Sequence, residues 1–169
     1  NTLFKAINEN YITDCIIAES ISQSMDFWRI RHFIVEVQAY EGGSIKHDIS
    51  IPIAKIPQFI NEANNIAESV YPSSRPIPFG HIGDGNIHYN ITQPINENTD
   101  KFMEKWHDMS SKVHDLVVKL NGSISAEHGI GRMKRDELYE RSDSTKNYIM
   151  KNIKNALDAR GILNPGKVL

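Results

Sequence analysis

The chain has 169 residues, 40% hydrophobic and 24% charged, enough for one domain with a buried core. Nineteen basic against 21 acidic residues give a net charge of −2, which argues against a nucleic-acid footprint and against a polyanionic tail. The single Cys15 excludes an internal disulfide and a thiolate zinc cluster within the chain. No apolar run approaches the roughly 20 residues that span a bilayer, and no signal-peptide pattern is present.

The sequence opens Asn1-Thr2-Leu3-Phe4, without an initiator methionine and already inside an apolar-periodic segment, and so reads as a piece of a longer polypeptide. Leu3, Phe4, Ile7 and Tyr11 fit a 3.6-residue period and predict a first helix. A second apolar run passes through Ile16, Ile17, Ile21, Met25 and Trp28 toward Val35, and Glu41-Gly42-Gly43-Ser44 breaks it. Residues 45–51 alternate in character and predict a strand closed by Pro52. Residues 53–70 are helical again, with Ile56, Phe59, Ile60, Ala63 and Ala67 on one face.

The proline-rich run from Pro72 to Pro78 predicts an extended approach to a short strand at 79–81. Gly83-Asp84-Gly85 is a turn and 86–92 the returning strand. The longest predicted helix is 99–120, stopped by Asn121-Gly122. Residues 123–126 read as short and extended, Gly129 and Gly131 keep the next stretch irregular, and helices follow at 133–141 and 144–160. Gly161 ends the last of these, and 162–167 is an extended tail. Helices with a few strands in this order predict an α+β fold with an antiparallel sheet.

The densest polar segment is Gly80-His81-Ile82-Gly83-Asp84-Gly85-Asn86-Ile87-His88-Tyr89-Asn90. On one straight strand His81 and His88, seven apart, face opposite sides; a reversal at Gly83-Asp84-Gly85 removes that objection. In the returning strand Asn86, His88 and Asn90 share one face and Ile87, Tyr89 and Ile91 the other. Two converging imidazoles suit a first-row divalent metal, but a third ligand must come from elsewhere. For an arbitrary His-x6-His, one turn-capping and one surface-paired histidine is the commoner arrangement. Gly-Asp-Gly lacks the further ligands and the terminal Glu of a calcium loop.

A second cluster is Gly122-Ser123-Ile124-Ser125-Ala126-Glu127-His128-Gly129-Ile130-Gly131. Adjacent Glu127 and His128 suit different tasks, one as a carboxylate ligand and one as an acid or base. Gly129 and Gly131 would let the backbone approach a flat cofactor closely. The segment is not a dinucleotide fingerprint, because the third glycine and the long preceding strand are missing. A third element is basic: Arg29 and Arg31 near a helix end and Lys46 on the following strand. Arg31 can grip a carboxylate in bidentate fashion and Lys46 can act as a point charge, although a solvated basic face is the commoner meaning.

Taken in order, Gly-His-Ile-Gly-Asp-Gly-Asn-Ile-His, Ser-Ala-Glu-His-Gly-Ile-Gly and Gly-Ile-Leu-Asn-Pro-Gly-Lys resemble the C-terminal domain of FAD-linked oxidases. That group holds D-lactate dehydrogenase, the glycolate oxidase flavin subunit and D-2-hydroxyglutarate dehydrogenase, and the match runs from about residue 18 to the C-terminus. The resemblance implies an antiparallel sheet covered by helices, a ferredoxin-like-related cap domain filling residues 1–169. It implies that His81, His88 and Glu127 bind a divalent metal, zinc or manganese. Asn90 and His128 would contact substrate, with His128 the general base.

Upstream, Trp28-Arg29-Ile30-Arg31 resembles the family's Trp-x-x-Arg segment and Lys46-His47-Asp48 its Lys-x-Asp strand, which implies a carboxylate clamp of Arg31 and Lys46. Val35 departs from the hydroxyl residue common four positions after the arginine, so a substrate group bonded there loses its partner. Asn164 would lie near the flavin. The resemblance further implies that FAD sits mainly in an N-terminal domain absent from this chain, so that the chain alone neither holds FAD well nor turns over.

The reaction implied is oxidation of a D-2-hydroxy acid to the 2-oxo acid with hydride transfer to FAD. Its partners are the small substrate and an electron acceptor for the reduced flavin, with no nucleic acid. A homo-oligomer is compatible with the pattern, as are a cytoplasmic, membrane-peripheral or mitochondrial location. Two other readings stay open: a non-catalytic module that binds a metal and an organic acid, and a metal-dependent hydrolase. The second leaves the clamp and the Asn-Pro-Gly-Lys tail without a role.

Overall fold

A computed structural model of the chain describes residues 2–81 and 83–169. It divides into two units, Asn1–Tyr40 and Glu41–Leu169. The first carries α1 (Thr2–Asn8) and α2 (Ile21–Val37). Helix α2 starts later than the apolar run suggests because Ser20 is extended and its side chain accepts the Gln23 N–H, a local N-cap that fixes the first turn. Neither helix buries a side chain completely.

The second unit is built on β1 (Ser44–Ser50), β2 (Arg75–His81) and β3 (Asn86–Thr92), with α3 (Ile56–Val70), α4 (Thr99–Met103), α5 (Trp106–Lys119), α6 (Arg135–Arg141) and α7 (Ser144–Leu157). Both strand pairs are antiparallel and the order is β1-β3-β2, so the α+β class with an antiparallel sheet is the observed architecture. The period-2 pattern sorts the faces. Ile45 and Ile49 of β1 and Ile87, Tyr89 and Ile91 of β3 enter the core, where α3 supplies Phe59, Ala63 and Ala67 and α5 supplies Met109, Val113, Leu116 and Val117. Helices α3 and α5 thus cover one face of the sheet. The alternate residues, Lys46 and Asp48, Phe79 and His81, and Asn86, His88 and Asn90, share the other face.

Strand β2 is longer than the expected 79–81 and runs through Pro76 and Pro78. A proline lacks a ladder donor, yet β2 is an edge strand, where an N–H pointing away from the sheet is not needed. The expected helix at 53–70 opens as a 3-10 turn, and the α-helix begins at Ile56 with Pro57 in its first turn, where a missing N–H leaves no gap. The expected helix at 99–120 is two helices. The Lys105 N–H bonds to the Phe102 carbonyl at 3.1 Å, and this tightened turn lets both Phe102 and Met109 reach the core.

The last helix ends at Leu157 rather than at 160. The Asp158 carboxylate accepts from the Ile162 and Leu163 N–H groups and pulls the chain off the helix axis. Helix α6 starts at Arg135, two residues after its expected start. Residues 123–126 form no strand; one isolated bridge joins Ser123 to Ser50.

Candidate active site

The hairpin turn between β2 and β3 is set by Asp84 and Gly85. The Asp84 carboxylate accepts the Asn86 N–H at 3.0 Å, and that bond is the main reason its pKa falls below the usual carboxylate range. Gly85 has φ 80°, and a Cβ there would stand 2.2 Å from the Ile51 carbonyl, so glycine is required. The register then pairs Phe79 with His88 and His81 with Asn86. Paired residues share a face, so the reversal brings His81 and His88 to the same side of the sheet.

The segment after α5 is carried to that side by the sheet itself. Ser50 and Ser123 exchange backbone hydrogen bonds at 3.0 and 2.9 Å. Next, Asp48 Oδ2 accepts the backbone N–H groups of Ala126, Glu127 and His128 at 3.3, 2.9 and 2.8 Å. The Lys134 ammonium adds a bond to the Ile124 carbonyl at 2.7 Å. Burial works to raise the Asp48 pKa, but the His128 and Glu127 N–H groups, with the charges of His128 and Lys134, outweigh it and hold the carboxyl below its ordinary value. Burial lowers the pKa of Lys134 itself.

Glu127 thereby reaches both histidines. Its Oε1 is 3.4 Å from His81 Nδ1 and its Oε2 is 4.0 Å from His88 Nε2. His81 Nδ1 also lies 3.4 Å from Asp84 Oδ2. On the far side of the His88 ring, Nδ1 is 3.9 Å from Asp48 Oδ1, while His128 Nδ1 is 3.7 Å from Asp48 Oδ2. The rings of His88 and His128 stand 5.8 Å apart, and Phe79 lies against His88 at 5.0 Å. Among the described residues, Asp48, His88 and His128 are the group whose ligand atoms all lie within 4.8 Å of one another; the expected set of His81, His88 and Glu127 is more open than that. Lys46 pairs with Asn90 across β1 and β3, adding a cation and an amide to the same face.

Residues 81, 88, 127, 128, 46 and 90 therefore come together. Arg31 lies on α2 in the first unit, one turn before Val35. Asn164 lies in the tail beyond α7, lining an apolar concavity with Met150, Ile153, Leu157 and Leu163. Sequence reasoning gave Asp48 no role of its own; its signal was its place two residues after Lys46, on the same strand face. It also passed over the core-side polar group. There His47 Nδ1 bonds the Tyr89 carbonyl at 2.8 Å, the His47 ring meets His114 edge-on at 5.5 Å, and His114 Nδ1 pairs with Glu137 at 2.5 Å.

The second unit is an α+β unit that gathers histidines, carboxylates and a lysine on the face of a small antiparallel sheet opposite helices α3 and α5. The family model for FAD linked oxidases, C-terminal domain, matches residues 1–168, and the chain belongs to that family. It is 39% identical over 168 residues to a D-2-hydroxyglutarate dehydrogenase of Stutzerimonas stutzeri, covering 99% of this chain and 36% of that protein. It is 36% identical over 167 residues to the mitochondrial D-2-hydroxyglutarate dehydrogenase of Arabidopsis thaliana, covering 99% and 28%. A Schizosaccharomyces pombe relative that carries D-lactate dehydrogenase in its name is 30% identical over 171 residues, covering 95% and 31%. The chain spans about a third of the length of these curated relatives. No helix among the described residues is long and apolar enough to cross a membrane.

Proposed function

We propose that this chain is the substrate- and metal-binding part of a flavin-dependent dehydrogenase that oxidises a D-2-hydroxy acid to the 2-oxo acid. D-2-hydroxyglutarate is the first substrate to try, because two of the relatives above bear its name. The observation that carries the reading is the placement of Glu127 3.4 Å from His81 and 4.0 Å from His88, two histidines of the sheet face that also carries Lys46 and Asn90. Ligand atoms at zinc bond lengths lie roughly 3.3 Å apart in a tetrahedron. The 3.4 Å spacing from Glu127 to His81 matches that separation, and the 4.0 Å spacing to His88 is longer. The three side chains as a set are more open than a closed tetrahedron, so side-chain rotation must draw them in around an ion. Two nitrogens with one carboxylate suit zinc or manganese. His81, His88 and Glu127 are the residues that would hold the metal.

For the flavin, this chain offers the backbone after His128. Gly129 has φ 77° and open space where a Cβ would stand, which lets a flat ring approach closely. The domain that grips FAD lies, on this reading, outside residues 1–169. When bound, the metal supplies Lewis acidity at the substrate hydroxyl and FAD supplies the hydride acceptor. Lys46 draws in and orients the substrate carboxylate. The Asn90 amide fixes the substrate on the sheet face. The His128 imidazole accepts the hydroxyl proton as the C2 hydride departs, so that proton and hydride leave from the two ends of one C–O bond.

Zinc and manganese uptake by the chain, with and without D-2-hydroxyglutarate, tests the reading. Near-stoichiometric metal, tightened by the hydroxy acid and lost in His88→Ala, is expected. Equal uptake by the wild type and His88→Ala would refute the ligand set. In the flavin-containing holoenzyme, His128→Ala is expected to slow flavin reduction by the hydroxy acid at least a hundredfold. An unchanged rate removes His128 as the base.

A further inference from the structure

Asp48 lies on the same sheet face, and the proposed reaction does not use it. The Asp48 side chain is 4% exposed. Its Oδ2 is committed to three backbone N–H groups, whereas its Oδ1 is buried with no hydrogen-bond partner among the described residues. Orphaned buried acceptors are rare and ask for a reason. His88 Nδ1 faces Oδ1 directly across the β1–β3 ladder at 3.9 Å. That separation is too long for a direct hydrogen bond, and such distances in ligand-free sites often shorten on binding.

We infer that Asp48 is a positioning residue: its Oδ1 holds the His88 proton on Nδ1, leaving the Nε2 lone pair toward Glu127, while its Oδ2 fixes the loop that presents Glu127 and His128. An ionised carboxylate only accepts, so the ring nitrogen facing it carries the hydrogen and the other keeps its lone pair. His88 Nε2 is the nitrogen that faces Glu127 Oε2. This is the arrangement by which a carboxylate behind a ligating histidine sets its tautomer and basicity. One side chain therefore couples two parts of the ligand set that lie on different segments of the chain. The backbone bonds on Oδ2 also separate this role from direct ligation, because they fix the carboxylate toward the loop rather than toward open space. The inference rests on the proposed ligand set His81, His88 and Glu127.

Asp48→Asn is the informative variant. It keeps an oxygen for the loop N–H groups and turns an amide donor toward His88, which should move the ring proton to Nε2. The readouts are the imidazole ¹⁵N shifts of His88 in the metal-free chain and zinc affinity measured against a competing chelator. In the wild type an Nδ1–H tautomer is expected. In Asp48→Asn an Nε2–H tautomer is expected, with unshifted Glu127 and His128 amide signals and zinc affinity 10–100-fold weaker.

An Nε2–H tautomer in the wild-type chain would overturn the inference, and that measurement needs no variant. So would Asp48→Asn with wild-type tautomer and affinity. Complete loss of zinc with His88 still protonated on Nδ1 would make Asp48 a ligand and overturn it too. If the wild type takes up no zinc, the metal part of the proposed function fails, while the tautomer still reports on Asp48 by itself.

Discussion

Asp48 Oδ2 accepts the backbone N–H of His128 at 2.8 Å, so a strand residue fixes the start of a loop residue eighty positions later. Two further N–H groups share that oxygen. Asp48→Ala removes the acceptor and leaves these donors to find water in a half-closed site. A loss of about 2–4 kcal/mol in unfolding free energy by urea titration is expected. The contribution of Asp48 also depends on pH. Its folded-state pKa is below the ordinary value, so the stabilisation is present above the ordinary carboxylate range and is lost as pH falls through the folded value.

A second pH effect has a different origin. Burial is the main cause that lowers the His47 pKa from 6.5 to about 4, and the charges facing it are His114, Lys134 and Glu137. The unfolded chain takes up a proton below about pH 6.5 that the folded chain refuses until about pH 4. Stability therefore falls across that window as pH falls, by about 1.4 kcal/mol per pH unit at steepest. Urea midpoints between pH 7 and 4 measure it, and His47→Phe is expected to flatten this part of the curve.

Gly85 ties the hairpin to the chain after β1, with its carbonyl accepting the Ile51 N–H at 2.9 Å. Gly85→Ala combines a left-handed backbone with a Cβ 2.2 Å from the Ile51 carbonyl. A cost on the order of 2–4 kcal/mol in thermal or urea unfolding is expected. The same variant should weaken zinc uptake, because His81 and His88 flank the displaced turn.

Lys46 carries charge on the open face and none of the proposed metal ligands. Lys46→Ala is expected to weaken binding of D-2-hydroxyglutarate roughly tenfold at low salt, with the difference shrinking as ionic strength rises. Zinc affinity without the hydroxy acid should stay within twofold of wild type. Titration calorimetry at two salt concentrations reads both.

Much of the site was legible because it depends on short-range rules. The alternation in 86–92 sorts Ile87, Tyr89 and Ile91 from His88 and Asn90 without any tertiary information. The Gly-Asp-Gly turn announces the reversal that brings His81 and His88 to one face. Element ends were less legible where a single side chain decided them. Ser20 delayed α2, the Asp158 carboxylate ended α7, and a tightened turn at Lys105 divided the long helix.

The sequence by itself determined the α+β class, the antiparallel hairpin, the polar strand face and the family, since these follow from periodicity, turn chemistry and ordered motifs. Tertiary structure decided what stands behind the proposed ligand set. The pairing of Asp48 with His88 depends on the β1–β3 register, and its grip on the loop depends on the Ser50–Ser123 bridge. Edge placement alone made Pro76 and Pro78 acceptable in β2. Register and loop docking are set by long-range burial of Ile45, Ile49 and the helices α3 and α5, and no local pattern encodes which distant N–H groups a buried carboxylate will meet.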